Sequence, residues 1–326
     1  MPAPDQTLPD VSVIMAAWSA EAFIHVAIGS ALAQEGVSLE LIIVDDASPD
    51  GTLQAAERAA AGDPRLVLDR LAHNSGPAAA RNRGLDLARG RYVAVLDADD
   101  GMQPGRLERL VRLADAAGLD IAADDMIRVR DAAQSDGGEA FLRAGSVSPG
   151  LKIGLADYID PASEHRFGEN LGYLKPLFRR ATLERIGLRY DETLRNSEDF
   201  YFVAELLAAG ARMQLTPEPG YRYTIREGSI SHRLTPAMTG AILDAERAFM
   251  RRHAAALDTG AKRAAAARMR LLMRSHAFES VVDAIKQRQP GRALGEALRR
   301  PAALPHIAGR LGAIGLGKLT PARGGP

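Results

Sequence analysis

The side chains best suited to chemistry in this chain are carboxylates in short clusters: Asp45-Asp46, Asp97-Ala98-Asp99-Asp100 and Glu198-Asp199. In an extended backbone, positions i and i+2 project to one side, so Asp97 and Asp99 point together. Such a pair can hold a hard divalent cation through oxygen ligands, or it can be a solvated acidic turn. The apolar run Tyr92 to Leu96 directly before it favours the first reading. Asp45 and Asp46 also leave an apolar run; a carboxylate there can accept hydrogen bonds from a ribose or a base. It can equally close an Asx-type turn, because Asp50-Gly51-Thr52 reads as the entry to a helix. Glu198 and Asp199 open a helix, where the macrodipole favours carboxylates for structural reasons. The functional alternative is that one of them takes a proton from a hydroxyl across a cleft. Two further groups are candidates. Arg81, one helical turn beyond Gly76-Pro77, could set a cation beside a diphosphate at a helix N-terminus. His232, after Gly228-Ser229-Ile230-Ser231, could reach a metal or a diphosphate, or be an ordinary surface residue.

These groups lie far apart in sequence, and the elements between them must bring them together. Short apolar runs over 11–16, 39–44, 66–71 and 92–96 predict strands, and helical spacing predicts helices over 21–34, 52–61 and 78–88. That alternation is the pattern of a doubly wound α/β domain with a largely parallel sheet. All the polar clusters of this half fall after strands, on the edge of the sheet where ligands bind in such folds. Further on, a helix is expected over 106–117, a strand from 121 to 126, and an irregular loop with one short helix over 128–162. An extended segment over 171–178, a short helix over 181–186, a helix over 200–209 and two short strands over 212–216 and 221–225 follow. After Pro236 the chain is rich in Ala and Arg, with helices expected over 237–257 and 260–287 and shorter pieces beyond. Ile307, Leu311, Ile314 and Leu319 could share one apolar face there. The expected division is a flexible tail over 1–10, a nucleotide-binding half over 11–126, an acceptor-binding half carrying the base over 127–235, and a basic helical extension over 236–326.

Composition removes several classes of function. The 41 basic residues balance 41 acidic ones, so nucleic acid is not an expected main partner. The balance is uneven: from Pro236 onward 16 Lys and Arg face only 6 Asp and Glu. The extension is therefore read as packing on the catalytic domain, as a homodimer contact, or as docking to an anionic membrane. With no cysteine there is no disulfide, thiolate nucleophile or cysteine-ligated metal. The first ten residues lack a basic start and an apolar signal core, and no run approaches the ~18 apolar residues of a membrane span. The expectation is a cytoplasmic protein, at most peripheral at the inner face of the cytoplasmic membrane. Neither the Gly-x-Gly-x-x-Gly of nicotinamide folds nor a P-loop is present.

Seven short motifs, loose one by one but specific together and in this order, resemble a known family. They are Ser12-Val13-Ile14-Met15-Ala16, Val44-Asp45-Asp46-Ala47-Ser48 with Asp50-Gly51-Thr52, and Gly76-Pro77-Ala78-Ala79-Ala80-Arg81-Asn82. Then come Leu96-Asp97-Ala98-Asp99-Asp100, Leu174-Lys175-Pro176-Leu177-Phe178-Arg179-Arg180, Glu198-Asp199 and Tyr221-Arg222-Tyr223. Over about residues 11 to 235 the chain resembles the inverting family 2 glycosyltransferases of the GT-A fold. Within them it is similar to bacterial exopolysaccharide enzymes of the succinoglycan type. The resemblance implies that Asp46 contacts the uracil of a UDP-sugar, with Ala16 and Trp18 at the other side of the base and Arg81 nearby. Asp97 would contact the ribose and sugar, Asp99 the Mn²⁺ or Mg²⁺ that bridges the diphosphate, and Asp199 would be the catalytic base. His232 would reach the metal or the diphosphate. The family more often has Tyr-Asn where this chain has Trp18-Ser19, which concerns the fit at the base edge. The Gln-x-x-Arg-Trp motif of processive synthases is missing, which implies transfer of one sugar to a saccharide or lipid-linked oligosaccharide acceptor. The other function class on the same fold is a non-catalytic nucleotide-sugar or polysaccharide-binding protein.

Overall fold

A computed structural model describes residues 8–133, 137–225 and 234–310. Four parallel strands form its first half: β1 (Val11–Ala17), β2 (Leu39–Asp45), β3 (Leu66–Arg70) and β4 (Tyr92–Val95). Helices α1 (Ile24–Leu32), α2 (Thr52–Ala60) and α3 (Pro77–Leu87) connect them. β1, β2 and β4 are almost wholly buried, as expected for unbroken apolar runs covered on both faces. α3 packs so closely on β1 that a Cβ on Gly84 would lie 2.3 Å from Ile14 Cγ2.

Beyond the acidic turn come β5 (Gly101–Met102), α4 (Arg106–Ala117) and β6 (Ile121–Val129). The segment expected to be mainly loop contains β7 (Glu139–Ala140), β8 (Leu151–Ile153) and α5 (Leu155–Ile159), with α6 (Ser163–Phe167) after it. Next are β9 (Leu177–Arg179), α7 (Arg180–Ile186), α8 (Glu198–Ala208) and β10 (Met213–Thr224). The sheet order is β3-β2-β1-β4-β9-β6-β10-β5, with β7 beside β6 and β8 beside β10. β9 runs antiparallel to both β4 and β6, so the first half of the sheet is parallel and the second is mixed. β10 is one strand where two were expected. Pro217 and Pro219 break the apolar pattern between 216 and 221, but register shifts at Thr216/Pro219 and Pro219/Tyr221 carry the pairing with β6 past them.

Helix α1 starts three residues later than its apolar spacing suggests. Phe23 and Ile24 both donate to Ala20 O, forming a turn, and the Glu21 carboxylate leaves to accept from Gly51 N–H at 2.9 Å. Buried Glu40, the second residue of β2, accepts from Ser12 Oγ at 2.6 Å, Arg89 N–H at 2.8 Å and Arg89 Nη2 at 2.8 Å. Ser12 Oγ accepts in turn from Gly90 N–H at 2.8 Å, so one carboxylate ties β1, β2 and the α3–β4 turn.

The extension comprises α9 (Pro236–His253), α10 (Thr259–Lys286) and α11 (Pro290–Arg299). Ile242 and Phe249 of α9 and Ala264 and Ala265 of α10 belong to the main core. Farther along α10, Ala277, Phe278 and Val281 form a second, smaller core with Ala303 and Ile307. Ile307 is thus packed inward; Leu311, Ile314 and Leu319, expected on its face, lie outside the described residues. Among the described residues no helix is long and apolar enough to cross a membrane.

Candidate functional site

The strand ends converge as the alternating pattern requires. The turn after β4 is held from β10: Asp97 N–H donates to Tyr221 Oη at 3.1 Å, and Tyr221 O–H donates to Asp100 Oδ2 at 2.8 Å. Thr224 N–H takes the other Asp100 oxygen at 2.8 Å. Burial pushes the Asp100 carboxyl well above its ordinary range, and Asp99 and Asp97 beside it push the same way.

Around Asp97 lies a closed ring of charge. Arg81, buried on α3, reaches Asp97 Oδ1 at 2.8 Å, Glu198 Oε1 at 2.7 Å and Asp199 Oδ1 at 3.0 Å. Lys175, just before β9, reaches Asp97 Oδ2 at 2.9 Å and Asp199 Oδ2 at 2.7 Å. Two carboxylates about a hundred residues apart in sequence therefore share the same two cations. Burial alone raises the Asp97 carboxyl, but Lys175 and Arg81 outweigh it and hold the group well below the usual range. Burial alone lowers the Lys175 ammonium; Asp199 and Asp97 reverse that and keep it charged. Burial also raises Glu198, against the pull of Arg81 and with the push of Asp199. Lys175 is itself fixed from behind, since fully buried Arg106 grips Asp124 and donates to the Lys175 carbonyl.

The ring lines a cavity of about 310 Å³, whose wall also includes Arg195, Tyr173 and, from the extension, Arg268. Arg81, Asp97 and Asp199 of the expected site are thus brought together. Ala16, Trp18, Asp46 and Asp99 are not on this wall. Asp46 is buried, and its two oxygens accept from Ser75 N–H at 2.6 Å and Gly76 N–H at 2.7 Å, so it holds the turn that starts α3. Gly76 sits at φ +95°, and a Cβ there would meet Arg195 Nη1 at 2.1 Å, which places Arg195 over this turn. Asp46 is therefore one link from the cavity rim. Trp18, 52% exposed, extends from the end of β1. Its loop is tied to the end of β2 by Ser19 N–H to Ser48 Oγ at 3.0 Å and Ala20 N–H to Thr52 Oγ1 at 2.9 Å. Ala16 is half-buried in β1, and Asp99 is half-buried in the turn after β4. His232 lies outside the described residues.

Among the described residues no three His, Cys, Asp or Glu side chains are grouped to cage a metal. One strand-end carboxylate together with a ligand's phosphates is a usual way to hold Mg²⁺, and Asp99 stands at such a strand end. Sequence reasoning gave no role to Lys175, Arg195 or Arg268. Lys175 had a usable signal, a lone cation inside the apolar segment Leu174-Lys175-Pro176-Leu177-Phe178. Arg268 had none in a helix rich in Ala and Arg.

Comparison with known proteins gives the family and the fold. The family model described as glycosyl transferase family 2 matches residues 12–180. Over 301 residues the chain is 42% identical to the succinoglycan biosynthesis protein ExoO of Rhizobium meliloti (strain 1021), covering 92% of this chain and 84% of that one. It is 36% identical over 303 residues to the succinoglycan biosynthesis protein ExoU of the same organism, covering 92% and 86%. Among solved structures, S. aureus TarS 1–349 in complex with UDP-GlcNAc matches with a TM-score of 0.59 at 17% identity, covering 90% of this chain and 92% of that one. The mannosyltransferase PcManGT from Pyrobaculum calidifontis, in complex with GDP-Man and Mn²⁺, matches with a TM-score of 0.58 at 20% identity, covering 98% and 83%.

Proposed function

Because the chain belongs to glycosyl transferase family 2 and has the GT-A fold, we propose that it is an inverting hexosyltransferase of exopolysaccharide or other cell-surface glycan synthesis. It moves one sugar from a UDP-sugar, UDP-glucose or a related hexose, to a hydroxyl of a saccharide or lipid-linked oligosaccharide. The observation that carries this reading is the sharing of Arg81 and Lys175 by Asp97 and Asp199, which holds two carboxylates from distant segments side by side at one cavity. The names of the exopolysaccharide relatives support the pathway, and the UDP-GlcNAc of the TarS complex supports the nucleotide.

In this mechanism the nucleotide lies over the ends of β1 and β2, between Trp18 with Ala16 and the Asp46-held turn. Asp97 takes ribose and sugar hydroxyls. The diphosphate competes for Arg81 and Lys175 and so draws them from Asp199. The freed Asp199 accepts the acceptor's hydroxyl proton as that oxygen bonds to the anomeric carbon, and the bond to the diphosphate oxygen breaks with its electron pair leaving on UDP. Attack from the opposite face gives a β-linked product from an α-linked donor. Asp99 and His232 would hold a Mn²⁺ or Mg²⁺ together with the donor's phosphates, and the ion would supply neutralisation of the leaving group's charge.

The test is thermal unfolding with UDP, GDP and CMP, each with and without Mn²⁺, followed by transfer assays of Asp199→Asn. UDP with Mn²⁺ at ~100 times its dissociation constant should add about 2.7 kcal/mol of stability. Asp199→Asn should keep that shift and lose transfer. A larger shift with GDP or CMP overturns the donor, and near-normal turnover in the variant removes Asp199 from the role.

The extension adds a second surface, which we assign to an anionic membrane. α11 buries none of its residues; Leu294 and Leu298 are 61% and 60% exposed. The same stretch of chain carries Lys286, Arg288, Arg292, Arg299 and Arg300, of which Arg292 pairs with Asp283 and Arg299 with Glu296, an excess of cations suited to anionic headgroups.

A further inference from the structure

One side chain enters the cavity from the extension, and it is an arginine. Arg268 of α10 is only 7% exposed, yet it lines the cavity together with Asp199 and Asn170. Its Nε donates to Glu246 Oε2 at 3.1 Å, and Tyr201 O–H fixes that same oxygen at 2.8 Å. The guanidinium lies over Phe200, with Cζ 3.5 Å from the ring centroid. One edge and one face are therefore occupied. Among the described residues neither Nη atom has an acceptor. Held this far from bulk water, the guanidinium has only the cavity's solvent on its terminal two-donor edge, which an anionic ligand can replace.

Arg268 shares the main cavity with Arg81 and Asp97, and on its other side it borders α5 and the segment at Asn170 and Leu171, which belong to the second half of the chain. Phe200 directly follows Asp199, and both line the cavity with Arg268, so the edge stands on the same wall as the proposed base. Charge narrows the ligand. Arg81 and Lys175 are consumed by Asp97, Glu198 and Asp199, whereas the Nη atoms of Arg268 and the whole guanidinium of Arg195 meet no carboxylate on the cavity wall. Two parallel N–H donors in a fixed fork suit a planar or tetrahedral oxyanion better than a lone hydroxyl.

We propose that Arg268 forms an acceptor subsite for an anionic sugar, binding a carboxylate or a phosphate ester of the acceptor through its two Nη groups while a hydroxyl of that sugar faces Asp199. The inference rests on the transferase reading above. It makes α10 a specificity element of the reaction.

The experiment uses the full chain loaded with UDP and Mn²⁺. Binding of methyl β-glucuronide, glucose 1-phosphate and neutral methyl β-glucoside is measured by calorimetry. In the wild type at least one charged sugar should bind about tenfold or more tightly than the neutral one, the scale of one charge-assisted contact. Removing the arginine alone would leave Glu246 buried without its cation, so the variant is Arg268→Met with Glu246→Gln, in which Tyr201 keeps an acceptor. There the preference should fall to parity while the UDP thermal shift persists. Arg268→Lys separates the two sources. A point charge retains phosphate and loses the forked carboxylate. Equal binding of all three sugars, no measurable binding of any, or a preference that survives in the double variant overturns the subsite. Loss of the UDP shift in the wild type instead overturns the underlying reading.

Discussion

Lys175 is the residue on which the two ends of the site depend. Its ammonium touches both Asp97 and Asp199, and burial leaves it little water to turn to. Replacing it by Met should lower kcat by about 10²-fold, the scale of losing one positioned charge from a transition state. Arg should restore part of that, because it can still bridge two carboxylates. UDP release measured at saturating donor tests this, with unfolding temperature as a control because breaking a buried pair also costs stability. A kcat close to wild type for Lys175→Met would assign Lys175 to folding alone. At this scale the carboxylates were legible in sequence, since an acidic cluster closing an apolar run is a local pattern. The cations that pair with them were not. Arg81 meets Glu198 across more than a hundred residues, and nothing local in either segment states that partnership.

Elements were legible where one rule governs them and obscure where two compete. The parallel strands follow from unbroken apolar runs. β10 does not, because prolines that argue locally against a strand are absorbed by register shifts that only the neighbouring β6 can supply. α1 begins late because Glu21 serves the next loop rather than its own helix. Glu40 is the same kind of case, a charged residue inside β2 that alternation would turn outward and that three segments hold inside. Burial pushes its carboxyl up, but the Ser12 hydroxyl and the Arg89 N–H and guanidinium outweigh that and leave it below its ordinary value of 4.5. The stabilisation is therefore fully present above the ordinary value and is lost as pH falls through the depressed one. Glu40→Gln should cost about 1–3 kcal/mol at neutral pH, as expected for a weakened buried charged hydrogen bond. Urea unfolding from pH 7 to pH 3 should show a smaller loss in the variant than in the wild type. Parallel acid limbs would contradict the assignment.

Across the whole molecule, α9 and α10 share the main core with the sheet, while α11 stands on the smaller one. The doubly exposed pair Leu294 and Leu298 gives a clean test of the membrane surface. Leu294→Asp with Leu298→Asp should change stability by no more than about 0.5 kcal/mol per site, as for other exposed positions. It should abolish co-sedimentation with vesicles containing anionic lipid. Retained binding, or a wild-type dimer that the substitutions dissociate, would give the surface to another partner. α10 runs without interruption for 28 residues, and from Arg268 to Lys286, where α11 is about to begin, it spans roughly 27 Å at the usual rise. With α11 on a lipid surface as proposed, α10 would act as a ruler that sets how far the cavity stands from that surface. A substrate anchored in the lipid must then carry a headgroup or glycan of matching reach, so selection by length would act alongside selection by charge.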